Sequence, residues 1–185
     1  MICLLPAGCQ PGDRGKKMDS GIQHPESDAD APGELVTREQ KYESGALFST
    51  QTGYTDENGE FVPHGLLNNL WESGQKKSEM NFFHGLRHGM KRAWYQSGQL
   101  WSEGEYIHGK EQGVWTVWFP DGRKAQEITF DNGGFHGPYR EWHTNGKQKV
   151  EFTYVRGKKE GLMRIWDEQG DLKEETTYVN DVRQP

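Results

Sequence analysis

Apolar and polar residues alternate in short runs along most of this chain, and glycines stand between the runs. From Gly89 to Gly113 the pattern is clear. Met90 to Tyr95 is a run ending in aromatics, Gln96-Ser97-Gly98 is a turn, and Gln99 to Tyr106 is a second run. A wider glycine-flanked turn, Ile107 to Gly113, follows. Sibling stretches carry Asp121-Gly122 and Asn145-Gly146 at the tight turn. Asx-Gly between two aromatic-rich runs is a strong hairpin signal, and it predicts two central residues at positive φ. The glycines recur too often for helices, and β-formers fill the runs between them.

The hairpin repeats every 24 residues. Leu70, Trp94, Trp118, Trp142 and Trp166 form one column, and Gly74, Gly98, Gly122, Gly146 and Gly170 form another. Glu79, Glu103, Glu127, Glu151 and Glu175 share the step, as do Phe82, Tyr106, Phe130, Tyr154 and Tyr178. Gly85, Gly109, Gly133 and Gly157 do so too, as do Gly65, Gly89, Gly113, Gly137 and Gly161. Columns with one shared period mark a repeat array. Stacked hairpins predict an all-β, elongated, single-layer antiparallel meander of about five units and ten strands, ~50 Å long. Tyr42-Glu43-Ser44-Gly45 echoes Trp71-Glu72-Ser73-Gly74 at 29 residues, so residues 41–64 read as a degenerate capping repeat before the array at 65–185.

Every aromatic residue lies at Tyr42 or later. Residues 10–40 are rich in Gly, Pro, Ser and Asp and read as a disordered linker that cannot bury enough apolar surface to fold. Residues 1–9 read as a truncated lipoprotein-signal-like segment, because Ala7-Gly8-Cys9 resembles a bacterial lipobox with a polar tether behind it. Pro6 stands where a lipobox usually has Leu. This predicts lipid on Cys9 and a place at the bacterial cell envelope, with the cytoplasm as the alternative.

Composition narrows the function. Apolar residues are only 32% and mean hydropathy is -0.99, which suits a thin sheet better than a thick core. The net charge of -6 disfavours nucleic acid as a partner, since phosphate neutralisation supplies most of that affinity. The only cysteines, Cys3 and Cys9, lie outside the array, so no disulfide staples it.

Five copies of a glutamate argue for structure, because catalysis needs one constellation. Counting outward from a two-residue turn pairs Arg92 with Glu103, Arg140 with Glu151 and Arg164 with Glu175, with Thr116 facing Glu127 and Asn68 facing Glu79. His64, His84, His88, His108 and His136 cluster at the wide turns. Equivalent slots in adjacent units lie two strands apart, ~9.6 Å, so only His84 with His88 could easily share an ion, and no metal is expected. A polysaccharide hydrolase would need a solitary carboxylate pair that breaks the repeat, and none is found.

The fixed Trp column is expected to pack along the array. A varied slot, filled in turn by Lys91, Trp115, Tyr139 and Met163, is the better candidate for partner specificity, together with Trp101.

The unit Gly89 to Gly98, followed by Ser102 to Lys110, resembles a MORN repeat. Trp71 to Glu79 looks most like the bacterial variant, whose proteins are often labelled YwqK-like antitoxins. The resemblance covers roughly residues 60–180 and implies an elongated binding or scaffold sheet with no active site in its repeats. The expectation is therefore a non-enzymatic module with an unidentified protein partner, no cofactor and a possible lipid anchor. The alternative is a cytoplasmic antitoxin-like protein that covers a toxin.

Overall fold

The computed structural model describes residues 31–185. Cys9, the lipoprotein-like segment and most of the proposed linker lie outside these residues. The described residues form thirteen strands and no helix. They run β1 (Val36–Lys41), β2 (Leu47–Thr55), β3 (Phe61–Leu70), β4 (Lys76–Phe83) and β5 (Leu86–Trp94). Then come β6 (Leu100–Ile107), β7 (Lys110–Trp118), β8 (Lys124–Asp131) and β9 (Gly134–Trp142). The last are β10 (Gln148–Val155), β11 (Lys158–Trp166), β12 (Leu172–Val179) and β13 (Val182–Arg183). All lie in one sheet in chain order, each antiparallel to the next. At ~4.8 Å per strand the meander is roughly 60 Å long. Strand β1 opens at Val36, so the sheet takes in residues 36–40 of the segment read as linker.

Two kinds of turn alternate, and their chemistry is the reverse of the sequence expectation. The turn read as wide is the two-residue one. His108-Gly109 joins the paired Ile107 and Lys110 with φ of 48° and 83°. Asn132-Gly133 and Arg156-Gly157 repeat this geometry, and Asn180-Asp181 keeps it with Asp in the glycine slot. Both central residues at positive φ match the right-handed twist of the flanking strands. The turn read as tight needs only one such residue. Gly98 has φ 87°, its N–H donates to Tyr95 O at 2.9 Å, and Tyr95 N–H donates to Gln99 O at 2.9 Å. Three loop residues therefore sit between the strands, and a β-bulge at Trp101 follows. The extra loop residue and the bulge cancel, so counting from a two-residue turn still gives the observed pairs Arg92–Glu103, Arg140–Glu151 and Arg164–Glu175. Asx stands before the turn glycine for its acceptor. Asp121 Oδ1 takes the Arg123 N–H and Asn145 Oδ1 takes the Lys147 N–H, both at 2.9 Å.

Neighbouring units are tied at both ends. At the short turns Gly109 N–H donates to Arg87 O at 2.7 Å, and Gly133 N–H to Glu111 O at 2.9 Å. At the other end three of the residues that open a turn reach the next unit's backbone. Tyr42 Oη donates to Leu70 O, Tyr95 Oη to Trp118 O and His143 Nε2 to Trp166 O, at 2.8–2.9 Å.

The first hairpin is longer than those that follow. Tyr42 to Gly45 makes the same turn as Trp71 to Gly74. Its 29-residue offset arises because β2 and β3 are joined through Asp56 to Glu60, three residues more than the short turn between β4 and β5. Each strand also gains one residue.

Candidate functional site

Alternation along the strands sorts the side chains onto two faces of different chemistry. Register places Lys91, Gly104, Trp115, Ile128, Tyr139, Phe152, Met163 and Thr176 in one row across β5 to β12. Four of the five sequence candidates, Lys91, Trp115, Tyr139 and Met163, therefore share this row and are half-buried. Trp101 sits apart at its bulge and is 46% exposed.

The row is built around aromatic rings. Trp115 lies flat over Gly104, where a Cβ would come within 2.1 Å of the indole. Gly53 plays the same part beneath Phe61. A ring that covers a glycine across the sheet fills the space its missing side chain leaves. Trp115 Nε1 donates to Glu105 O at 3.3 Å, and its ring meets Tyr106 edge-on with centroids 5.1 Å apart. Contacts continue through Phe130, Phe135 and Tyr154 to Phe152 and Tyr139, with centroids 4.6–5.9 Å apart.

Polar groups on this face are held by the rings. Tyr139 Oη accepts from Gln126 Nε2 at 2.8 Å and donates to the Glu141 carboxylate. Burial, reinforced by that carboxylate, pushes the phenol up to about 12. Burial also raises Tyr106 and Tyr154. Lys91 has its ammonium 5.7 Å from the Trp115 ring. Burial, with the nearby Arg87 guanidinium, holds it below the ordinary lysine value, and Glu111 opposes this.

The opposite face is a ladder of charges. Arg92 bridges Glu79 and Glu103 at 3.4 and 3.2 Å. Arg140 bridges Glu127 and Glu151, and Arg164 bridges Glu151 and Glu175. Trp94, Trp118, Trp142 and Trp166 stand on this face, half-buried. Lys76 and Lys124 lie over Trp94 and Trp142 at 5.6 and 5.9 Å. The sequence did not show that the Trp column and the varied slot occupy opposite faces. Counting parity from Arg92 would have found it, since Trp94 falls in step with Arg92 and Lys91 does not.

The histidines also depart from expectation. His64 packs on His84 with centroids 4.9 Å apart, and His88 on His108 at 5.2 Å. The spacing argument assumed equivalent slots, whereas His84 caps a short turn and reaches the neighbouring hairpin. His64 is 1% exposed, and its Nδ1 faces the His84 N–H at 3.4 Å. Tyr54 Oη meets His84 Nδ1 at 3.0 Å. The cluster fills the space above the first two short turns. Among the described residues no three His, Cys, Asp or Glu side chains gather as metal ligands would.

The repeat variant of the MORN family matches residues 87–108, 111–132, 135–156 and 159–180, four consecutive units. No curated protein matches the chain. Among solved structures it resembles TarM at 11% identity and a TM-score of 0.30, over 66% of this chain and 20% of that one. The GtfA/B complex bound to UDP and GlcNAc matches at 12% identity and a TM-score of 0.27, over 90% of this chain and 28% of that one. A protein of unknown function from Bacteroides fragilis, BF3112, matches at 8% identity and a TM-score of 0.20, over 80% of this chain and 94% of that one. The chain thus spans less than a third of the first two. Periodic hairpins, two alternating turn types and four consecutive matched units lead to one conclusion: the chain belongs to the MORN repeat variant family, as a repeat-built binding or scaffold module.

Proposed function

We propose that the array is a non-enzymatic protein-binding module that docks its partner on the aromatic face, through Trp101, Trp115 and Tyr139. One observation supports this most. The face carries a run of rings in a single-layer sheet: Tyr106 and Phe152 are buried among their neighbours, while Trp115, Phe130, Tyr139 and Tyr154 stay half-buried, and among the described residues no second layer covers them. Apolar surface of this kind, set among polar groups, is characteristic of interaction sites. Aromatic residues are also the side chains that most often carry binding energy. The ladder face offers less, because its charges already satisfy one another.

The module is tethered at the bacterial envelope through lipid on Cys9, which lies outside the described residues. Expression with the upstream codons, followed by mass spectrometry, tests the tether, and an unmodified Cys9 would remove it. The binding role is tested by affinity capture from the source organism. Wild type should retain a partner that a Trp101→Ala, Tyr139→Ala variant loses while its circular dichroism is unchanged. Equal capture by both would defeat the proposal. If the captured protein is a toxin encoded next door, the array is a neutraliser and not an envelope scaffold.

A further inference from the structure

A cleft of about 380 Å³ opens on the aromatic face beside the three-residue turns. Its walls include Trp71, Tyr95 and Trp101, and its cations are Lys77 and Lys91. That volume lies in the range of ordinary binding pockets. Three features set it apart from the rest of the sheet.

The first is its charge. No carboxylate lines the cleft. Among the described residues neither Lys77 nor Lys91 has a carboxylate oxygen within 4.0 Å, whereas the arginines of the opposite face bridge two glutamates each. In a chain of net charge -6, two unpaired ammonium groups at one aromatic cleft are a local reversal. The second is what holds them. Lys77 lies over the Trp71 ring at 4.6 Å and Lys91 over Trp115 at 5.7 Å, so both cations are presented on indoles. Lys91 is half-buried, and burial already disfavours its charge, so an incoming carboxylate would relieve a cost this fold carries. The third is breakage of the repeat. The bulge slot holds Lys77, Trp101, Ala125, Lys149 and Lys173 in successive units, so a ring and a cation flank the cleft only where β4 meets β6 across β5.

We infer that this cleft binds an acidic peptide segment of the partner, with an apolar or aromatic side chain between Trp71 and Trp101 and flanking carboxylates on Lys77 and Lys91. This rests on the protein-binding reading above and names the chemistry of the partner. A neutral saccharide would leave the Lys77 and Lys91 ammonium groups without a counter-charge. Single-stranded nucleic acid would need a run of cations tracking its backbone. Beyond the cleft this face instead carries Glu111 and Glu141.

Fluorescence anisotropy tests the inference with a labelled peptide alternating Glu and Leu around a central Phe. Its Lys-for-Glu counterpart and a single-stranded oligonucleotide serve as competitors. The acidic peptide should bind, and binding should weaken as salt rises. It should weaken roughly tenfold or more in Lys77→Gln with Lys91→Gln, which keeps the side-chain stems, and not in Lys149→Gln with Lys173→Gln. Trp101→Ala should also reduce it. No saturable binding, equal binding of the basic peptide, stronger competition by the oligonucleotide, or indifference to the Lys77 and Lys91 changes would each overturn the inference. Partner capture separates the two proposals. A partner still retained by the lysine variant but lost with Trp101→Ala, Tyr139→Ala leaves the binding face standing and removes only the acidic segment.

Discussion

The two faces of the sheet are made from the same strands, yet they solve different problems. On one, Arg92, Arg140 and Arg164 link consecutive glutamates, and every unit repeats nearly the same residues. On the other, one row holds Lys91, Trp115, Tyr139 and Met163 in turn, and rings of different shape lean on one another across the strands. A ladder that satisfies itself needs regularity. A face that meets something outside the chain gains from variation. Once each column is assigned to its face, repetition marks the ladder and variation marks the aromatic row.

The largest effect should come where the aromatic face is most tightly built. Gly104→Val would drive a side chain into the Trp115 indole, already only 2.1 Å from an ideal Cβ. It should destabilise by roughly 1–3 kcal/mol, as overpacking does. Urea titration followed by tryptophan emission checks it, and an unchanged midpoint would mean that Trp115 is not held in this site.

The faces should next differ in pH response. Tyr106, Tyr139 and Tyr154, all on the aromatic face, are raised by burial, Tyr139 to about 12. A phenol whose folded value is raised contributes stability that is complete below the ordinary value near 10. That contribution is lost as pH climbs through the folded value. Glu151 on the ladder is lowered by hydrogen bonding from Gln148 and then by Arg140. Its contribution is present above the ordinary value of 4.5 and is lost as pH falls through the lower folded value. Glu141 is lowered too, because its hydrogen bonds from Tyr139 and Lys149 outweigh burial, so the acid limb belongs to both faces. The raised phenols that feed the alkaline limb all lie on the aromatic face. Tyr139→Phe should shrink the alkaline loss in urea midpoint and trim the Glu141 share of the acid loss, leaving the Glu151 share in place.

A smaller effect is expected on the ladder. Arg140 is 40% exposed and Glu151 32%, so solvent screens the pair. A double-mutant cycle of Arg140→Ala and Glu151→Ala should give a coupling of about 0.2–1 kcal/mol. Zero coupling would reduce the ladder to decoration. The smallest stability effect should be at Trp101, which stands out at its bulge. Trp101→Ala should change stability by less than about 0.5 kcal/mol, as exposed substitutions do. A larger loss by thermal melting would make Trp101 a packing residue and weaken its case as a contact for the partner.

Much of this was legible in the chain. The 24-residue step gave the hairpins and their order, and the ion pairs followed by counting. Turn chemistry was not legible, because Asn and Asp serve two purposes. At Asn132 the residue takes positive φ, while at Asp121 and Asn145 it accepts a backbone hydrogen bond. Arg156 and His108 show that the short turn does not require Asx at all. The cleft was hidden because it joins slots from two columns, Trp71 with Tyr95 and Lys77 with Trp101, and its bulge is invisible until the register is known. The histidine contacts were hidden for the same reason: they link unlike slots.

Hydroxyl-radical footprinting of the array bound to its captured partner shows which face the partner covers. Trp101, Trp115 and Tyr139 should be protected, with Trp118, Trp142 and Trp166 oxidised as in the free protein. Protection of that Trp column, with the aromatic face left open, would contradict docking on the aromatic face.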